Sequence, residues 1–134
     1  MIRAPVIALS VPALLLAVSC APAPESALSP RSADACFMSD RVINFRVGPS
    51  PSVYVKALGG DVYEMQTTSS CPGIESANTL AFTPLVGSSS RTCVSDSLSV
   101  DVAVAGASSS RCRARVVRKL TPDEIAALPS RYRP

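Results

Sequence analysis

The pattern of hydrophobic and polar positions divides the chain into two regimes. Residues 5–18 are an almost unbroken apolar run, interrupted only by Ser10. From Cys36 onward the pattern becomes short alternating runs separated by turn residues, which is the signature of an all-β domain. Alternation over 41–47 predicts a strand with Ile43, Phe45 and Val47 on one face, broken by Gly48-Pro49-Ser50-Pro51. Runs at 52–58 and 61–68 flank Gly59-Gly60, a two-residue hairpin turn in which both glycines can take positive φ. In this hairpin Val53, Val55, Ala57 and Val62 are expected on one side and Tyr54, Leu58, Tyr63 and Met65 on the other. Both sides are half apolar, which suits a curved sheet or small barrel. A further strand at 78–82 ends at Pro84, which cannot donate to a ladder.

The clearest alternation lies at 97–104, with Leu98, Val100, Val102 and Val104 facing one way. After a flexible loop at 106–110 the chain returns over 111–117 with Cys112, Ala114 and Val116 inward. Centring the loop near Ser108 sets Val104 opposite Cys112 and Asp101 opposite Arg115. Thr121-Pro122-Asp123-Glu124 then reads as a capped helix start, with Thr121 as N-cap and Glu124 placed for a capping box. About two turns follow, with Ile125 and Leu128 available to dock on the sheet, ending at Pro129. Residues 130–134 read as a frayed basic tail. The expected fold is therefore mainly β: a small antiparallel curled sheet or partial barrel of about six strands with one short C-terminal helix and two disulfides.

The apolar start reads as an export signal. Arg3 supplies a short positive region, and the run is too short and wrongly flanked for a membrane-spanning helix. It leads into Ala17-Val18-Ser19-Cys20, which resembles the bacterial lipobox, although Ala17 stands where that motif usually has Leu. The resemblance implies cleavage after residue 19 and acyl chains, palmitate among them, on Cys20. By analogy with lipoprotein sorting, Ala21 after that cysteine implies delivery to the outer membrane, and the localisation expected is its periplasmic side. Small residues and prolines then make residues 20–35 a lipidated Cys and extended tether, reaching at most roughly 45 Å. The domain organisation expected is signal peptide 1–19, tether 20–35, β domain 36–129 and tail 130–134.

Five cysteines is an odd number for an exported chain. Acylation of Cys20 leaves Cys36, Cys71, Cys93 and Cys112, enough for two disulfides in an oxidising compartment. Three pairings exist; Cys36–Cys112 with Cys71–Cys93 is favoured, because Cys71 and Cys93 flank the same strand. A domain of this size, poor in aromatic residues, needs such bridges. The cysteine spacings contain no C-x-x-C pair and do not resemble a zinc site, so no metal is expected.

The chain has 134 residues, 13 Lys+Arg, 10 Asp+Glu and no His or Trp. Lack of His removes the Ser-His-Asp and Cys-His pairs and any imidazole acid–base step. A net charge of +3 is too small to argue for nucleic acid. There is no phosphate-binding glycine loop, no G-x-S-x-G and no Ser-x-x-Lys, and no serine has an activating partner. The carboxylates are scattered. No cofactor and no catalytic residue are expected. The strongest surface feature is Arg111, Arg113 and Arg115 on one strand face, followed by Arg118 and Lys119. One reading is an anion-binding stripe for phosphates or an acidic polymer or protein of the cell envelope. The other is a solvated strand face that keeps an edge from pairing.

The array Cys36-Phe37, Val53-Tyr54-Val55, Tyr63-Glu64-Met65, Cys71-Pro72-Gly73-Ile74, Thr92-Cys93-Val94-Ser95-Asp96 and Cys112-Arg113-Ala114-Arg115-Val116 resembles a family of small proteobacterial lipoproteins of unknown function. The resemblance spans residues 35–128 and implies a periplasmic domain without assigning an activity. The function expected is a lipid-anchored, non-catalytic binding or envelope-accessory module. The alternatives are an inhibitor of a cell-wall lytic enzyme, using loops 87–90 or 106–110, and a cryptic hydrolase.

Overall fold

The computed structural model describes residues 35–87 and 89–134. The expected signal, Cys20 and almost all of the tether lie outside the described residues. Strands are β1 (Cys36–Met38), β2 (Val42–Val47), β3 (Ser52–Ala57), β4 (Val62–Thr67), β5 (Thr79–Pro84), β6 (Arg91–Cys93), β7 (Ser97–Ala103) and β8 (Ser110–Lys119), followed by helix α1 (Pro122–Ala127). Six of them form one curled antiparallel sheet in the order β2-β3-β4-β8-β7-β5, while β1 and β6 pair as a separate ribbon. The chain is mainly β with one short helix and two disulfides, as the alternation, the capping signals and the cysteine count predict.

The Gly59-Gly60 hairpin forms, with both glycines at positive φ. Its faces differ from expectation. Val55 lies opposite Tyr63 and Val53 opposite Met65, so these four share the inner face. Tyr54 and Val62 lie on the outer face instead. Both faces are buried because each has its own cover. On β2 a register shift between Val42 and Asn44 turns Ile43 out of line, leaving it 57% exposed while Val42 packs inward with Phe45. Bulges displace one residue in this way, and a strict alternation cannot anticipate them.

The β7–β8 loop is centred on Gly106, whose φ is +75°, and not on Ser108. Val100 therefore faces Cys112, and Asp101 faces Arg111 where Arg115 was expected. Glycine meets the left-handed φ of the turn at no steric cost, which serine cannot do.

The inner face holds the main core: Val55, Tyr63, Met65, Leu98, Val100 and Val116 are all at most 2% exposed. Phe37 of β1 packs into it, its ring 4.5 Å from that of Tyr63, and the Tyr63 hydroxyl donates to the Cys36 carbonyl at 2.9 Å. On the outer face α1 covers one end. Ile125, Leu128 and Tyr132 pack on Tyr54, Val62 and Leu120. The expected capping box is present, with Thr121 and Glu124 bonded reciprocally. Residues 130–134 are not frayed: Ser130–Tyr132 is a 3-10 turn, and Arg133 donates to the carbonyls of Ala126 and Leu128, each at 2.8 Å. Tyr132 has apolar surface to bury, and burying it folds the tail back.

The disulfides are Cys36–Cys93 and Cys71–Cys112, which corrects the favoured pairing of Cys36–Cys112 with Cys71–Cys93. The topology explains the difference. After β5 the chain leaves the main sheet, and β6 pairs with β1 in a register that sets Cys36 opposite Cys93. Cys71 follows β4, the direct neighbour of β8, which brings it to the inward-facing Cys112.

Glu124 makes the helix start sensitive to acid. Its backbone bond from Thr121 and the Arg118 guanidinium hold its carboxyl below the ordinary carboxylate range. A depressed pKa gives stabilisation that is complete above the unfolded value and lost as pH falls through the folded one. The protection factors of the amides of residues 125–128, measured against their intrinsic exchange rates, should therefore fall as pH drops below about 4 in the native chain. In Glu124→Gln this acid-induced step should be absent, with lower protection at neutral pH.

Candidate anion-binding face

Alternation along β8 sends Cys112, Ala114 and Val116 into the core and leaves Arg111, Arg113 and Arg115 exposed on the outer face. The strand is flanked by β4 and β7 on its two sides. The arginines therefore form a column across the middle of a sheet, and protection of an edge does not account for them. The actual edge at β2 is guarded otherwise: Asn44 Oδ1 accepts from the Phe45 N–H at 2.9 Å and Arg46 donates to the Phe45 carbonyl at 3.0 Å. Both outward backbone groups of Phe45 are thereby occupied.

Register sets the surroundings of each arginine. Arg111 lies opposite Asp101 and pairs with it at 2.5 Å. Arg115 lies between Gln66 and Ser97, and its Nε donates to the Ser95 carbonyl at 3.1 Å. Arg113 lies opposite Ser99, and its backbone N–H donates to Ser69 Oγ at 3.0 Å. The Arg113 guanidinium has no hydrogen-bond or ion-pair partner among the described residues. Together with Thr68, Ser69, Ser99, Arg111 and Leu85 it lines a shallow depression of about 770 Å³.

A second register shift, between Glu64 and Met65 on the β4–β8 ladder, returns Arg118 to the outer face after the odd-numbered arginines. It places Arg118 opposite Glu64, to which Nε donates at 2.8 Å, while Nη1 donates to Glu124. Glu64 also accepts from Ser52 Oγ at 3.0 Å. Arg118 is thus consumed in holding α1 to the sheet, and Lys119 pairs with Asp61 at 2.8 Å. Tyr54 lies in the same row as Glu64; burial first, and then the Glu64 charge, pushes its phenol above the ordinary range. The positive column that remains for a ligand is Arg111, Arg113 and Arg115, with Arg113 the uncommitted member.

No family model, curated protein or solved structure matches the chain.

The site therefore has to be judged on its own chemistry. Several carboxylates already have structural duties. Asp101, Glu64, Asp61 and Glu124 hold cations, and Asp96 accepts the Cys93 N–H at 2.8 Å. Among the described residues no group of three or more His, Cys, Asp or Glu is placed to hold a metal ion. Tyr54 and Tyr63 are both buried and lie on opposite faces of the sheet, so they form no surface pair. A second cavity, of about 470 Å³, opens between the β2–β3 turn and residues 69–76, with Val47, Val53 and Ile74 among its apolar walls and Glu75 its one ionisable side chain. The sequence signals the arginine column directly. The neighbouring hydroxyls, and the pairing that leaves Arg113 uncommitted, depend on register and emerge only in the fold.

Proposed function

We propose that this chain is a lipid-anchored envelope protein that acts by binding, without catalysis, and that its outer arginine face receives an anionic group. The reading of an exported, acylated chain rests on the lipobox-like segment at Cys20 and on the cysteine count. Two disulfides in a small β domain suit an oxidising compartment. The observation that carries the binding reading is the exposed Arg113 guanidinium in mid-sheet, without a partner among the described residues, in a depression that Thr68, Ser69 and Ser99 also line. A guanidinium with nearby hydroxyl donors matches the oxygens of a phosphate or carboxylate, and such charge-assisted bonds are the strong ones. The partner would be an anionic envelope polymer, protein or headgroup.

Titration with polyglutamate and with pyrophosphate tests the reading. Arg113→Ala should weaken binding by about tenfold or more, since a hydrogen bond to a charged group contributes about 1.5–3 kcal/mol. Lys56→Ala, which removes a cation from β3, should leave it nearly unchanged. Equal affinity of the native chain and Arg113→Ala for both probes would discard the arginine face as a binding site.

A further inference from the structure

The arginine face has an apolar border that anion binding alone does not use. Leu85, 45% exposed, lines the same depression as Arg111 and Arg113, and the next residue, Val86, is 88% exposed. Aliphatic side chains this exposed gain by leaving water. A soluble polyanion offers them nothing, whereas a bilayer offers phosphate at the depth of the guanidinium and hydrocarbon just beyond. The face itself is a broad strand surface carrying short side chains, Ser97, Ser99, Gln66 and Thr68, between its arginines.

We propose that this face docks on a bilayer rich in anionic phospholipid, with Arg113 and Arg115 on headgroup phosphates and Leu85 and Val86 seated among the upper acyl carbons. The inference rests on the anion-binding reading above and names its ligand. Arg111 contributes less, because Asp101 already neutralises it. The tether expected from the sequence, reaching at most roughly 45 Å, would allow the face to meet the leaflet that would hold the lipid on Cys20.

The full chain, reconstituted in phosphatidylcholine vesicles with or without phosphatidylglycerol, tests the proposal, since a lipid anchor would hold it equally in both. The readouts are modification of Arg113 by butanedione and amide exchange across residues 85–87. Both should slow in phosphatidylglycerol vesicles by about fivefold, the effect of one basic residue at an anionic surface, and neither in phosphatidylcholine alone. Val86→Asp should restore rapid exchange at 85–87 without changing the melting temperature. If polyglutamate or inorganic phosphate protects Arg113 as well as the anionic vesicles do, and 85–87 stay unprotected in every arm, the face binds anions and the bilayer proposal is overturned. If Arg113 is protected by none of these, the anion-binding reading falls with it.

Discussion

Reduction of the two disulfides will unfold the β domain at temperatures where the oxidised chain is stable. Cys36–Cys93 closes a separation of 57 residues and Cys71–Cys112 one of 41. Chain entropy alone assigns these loops about 4.2 and 3.9 kcal/mol as upper figures, together about 8 kcal/mol. That is the size of the whole stability of a small domain, commonly about 5–15 kcal/mol. The bridges also tie down different parts. The first holds the β1–β6 ribbon, which carries Phe37 and the buried Thr92 against the core. The second ties the loop after β4 to the first part of β8. Either paired replacement, Cys36→Ser with Cys93→Ser or Cys71→Ser with Cys112→Ser, should lower the melting temperature by about 15 °C or more. The cross-combination Cys36→Ser with Cys112→Ser should be worse than either, because it breaks both bridges and leaves two lone thiols. Calorimetry with and without reductant measures this. An unchanged transition in strong reductant would contradict it.

The six strands of the main sheet and the capped helix were legible because each is governed by neighbours in sequence, whereas the short β1 and β6 carry no such alternation. Alternation shows in 97–103 without any knowledge of the fold, and Thr121 to Glu124 carry their cap within four residues. What the sequence hid depends on partners far away. The hairpin faces were misassigned because cross-strand parity follows from the turn geometry at Gly59-Gly60, and one residue of error exchanges the two sides. Ile43 leaves its expected face, and Arg118 joins that of the odd-numbered arginines, through register shifts that leave no mark in composition. The disulfide pairing followed strand order: β8 inserts beside β4, and β6 leaves the sheet to find β1. The arginine column was visible as spacing. Its meaning changed when β8 proved to be an inner strand, since an inner strand has no edge to protect.

Tyr63→Ala will be the most damaging single side-chain truncation in the core, because Tyr63 joins three separate structures. It is fully buried, it lies opposite Val55 and Lys119 on neighbouring strands, and its ring packs on Phe37. Its hydroxyl satisfies the Cys36 carbonyl, at the root of the first disulfide. Truncation of a buried aromatic to Ala costs about 3–5 kcal/mol. Tyr63→Phe keeps the ring and loses one hydrogen bond, for about 1 kcal/mol. Urea unfolding separates the two, and an unchanged slope would show that both variants act on stability alone. Burial also raises the Tyr63 phenol above its ordinary range, as it does that of Tyr54. A raised folded pKa gives stability that is complete below the unfolded value near 10 and lost as pH climbs through the folded one. The native chain should therefore weaken in alkali, and Tyr63→Phe should weaken less, with the remainder due to Tyr54. The Cys36 contact makes a sharper demand. If the hydroxyl and the Cys36–Cys93 bridge together hold the ribbon on the core, their effects are coupled. Tyr63→Phe should then cost less in the Cys36→Ser/Cys93→Ser background than in the oxidised chain, by more than the roughly 0.5 kcal/mol expected of independent sites. Additive costs would mean that the hydroxyl and the bridge act on the ribbon independently.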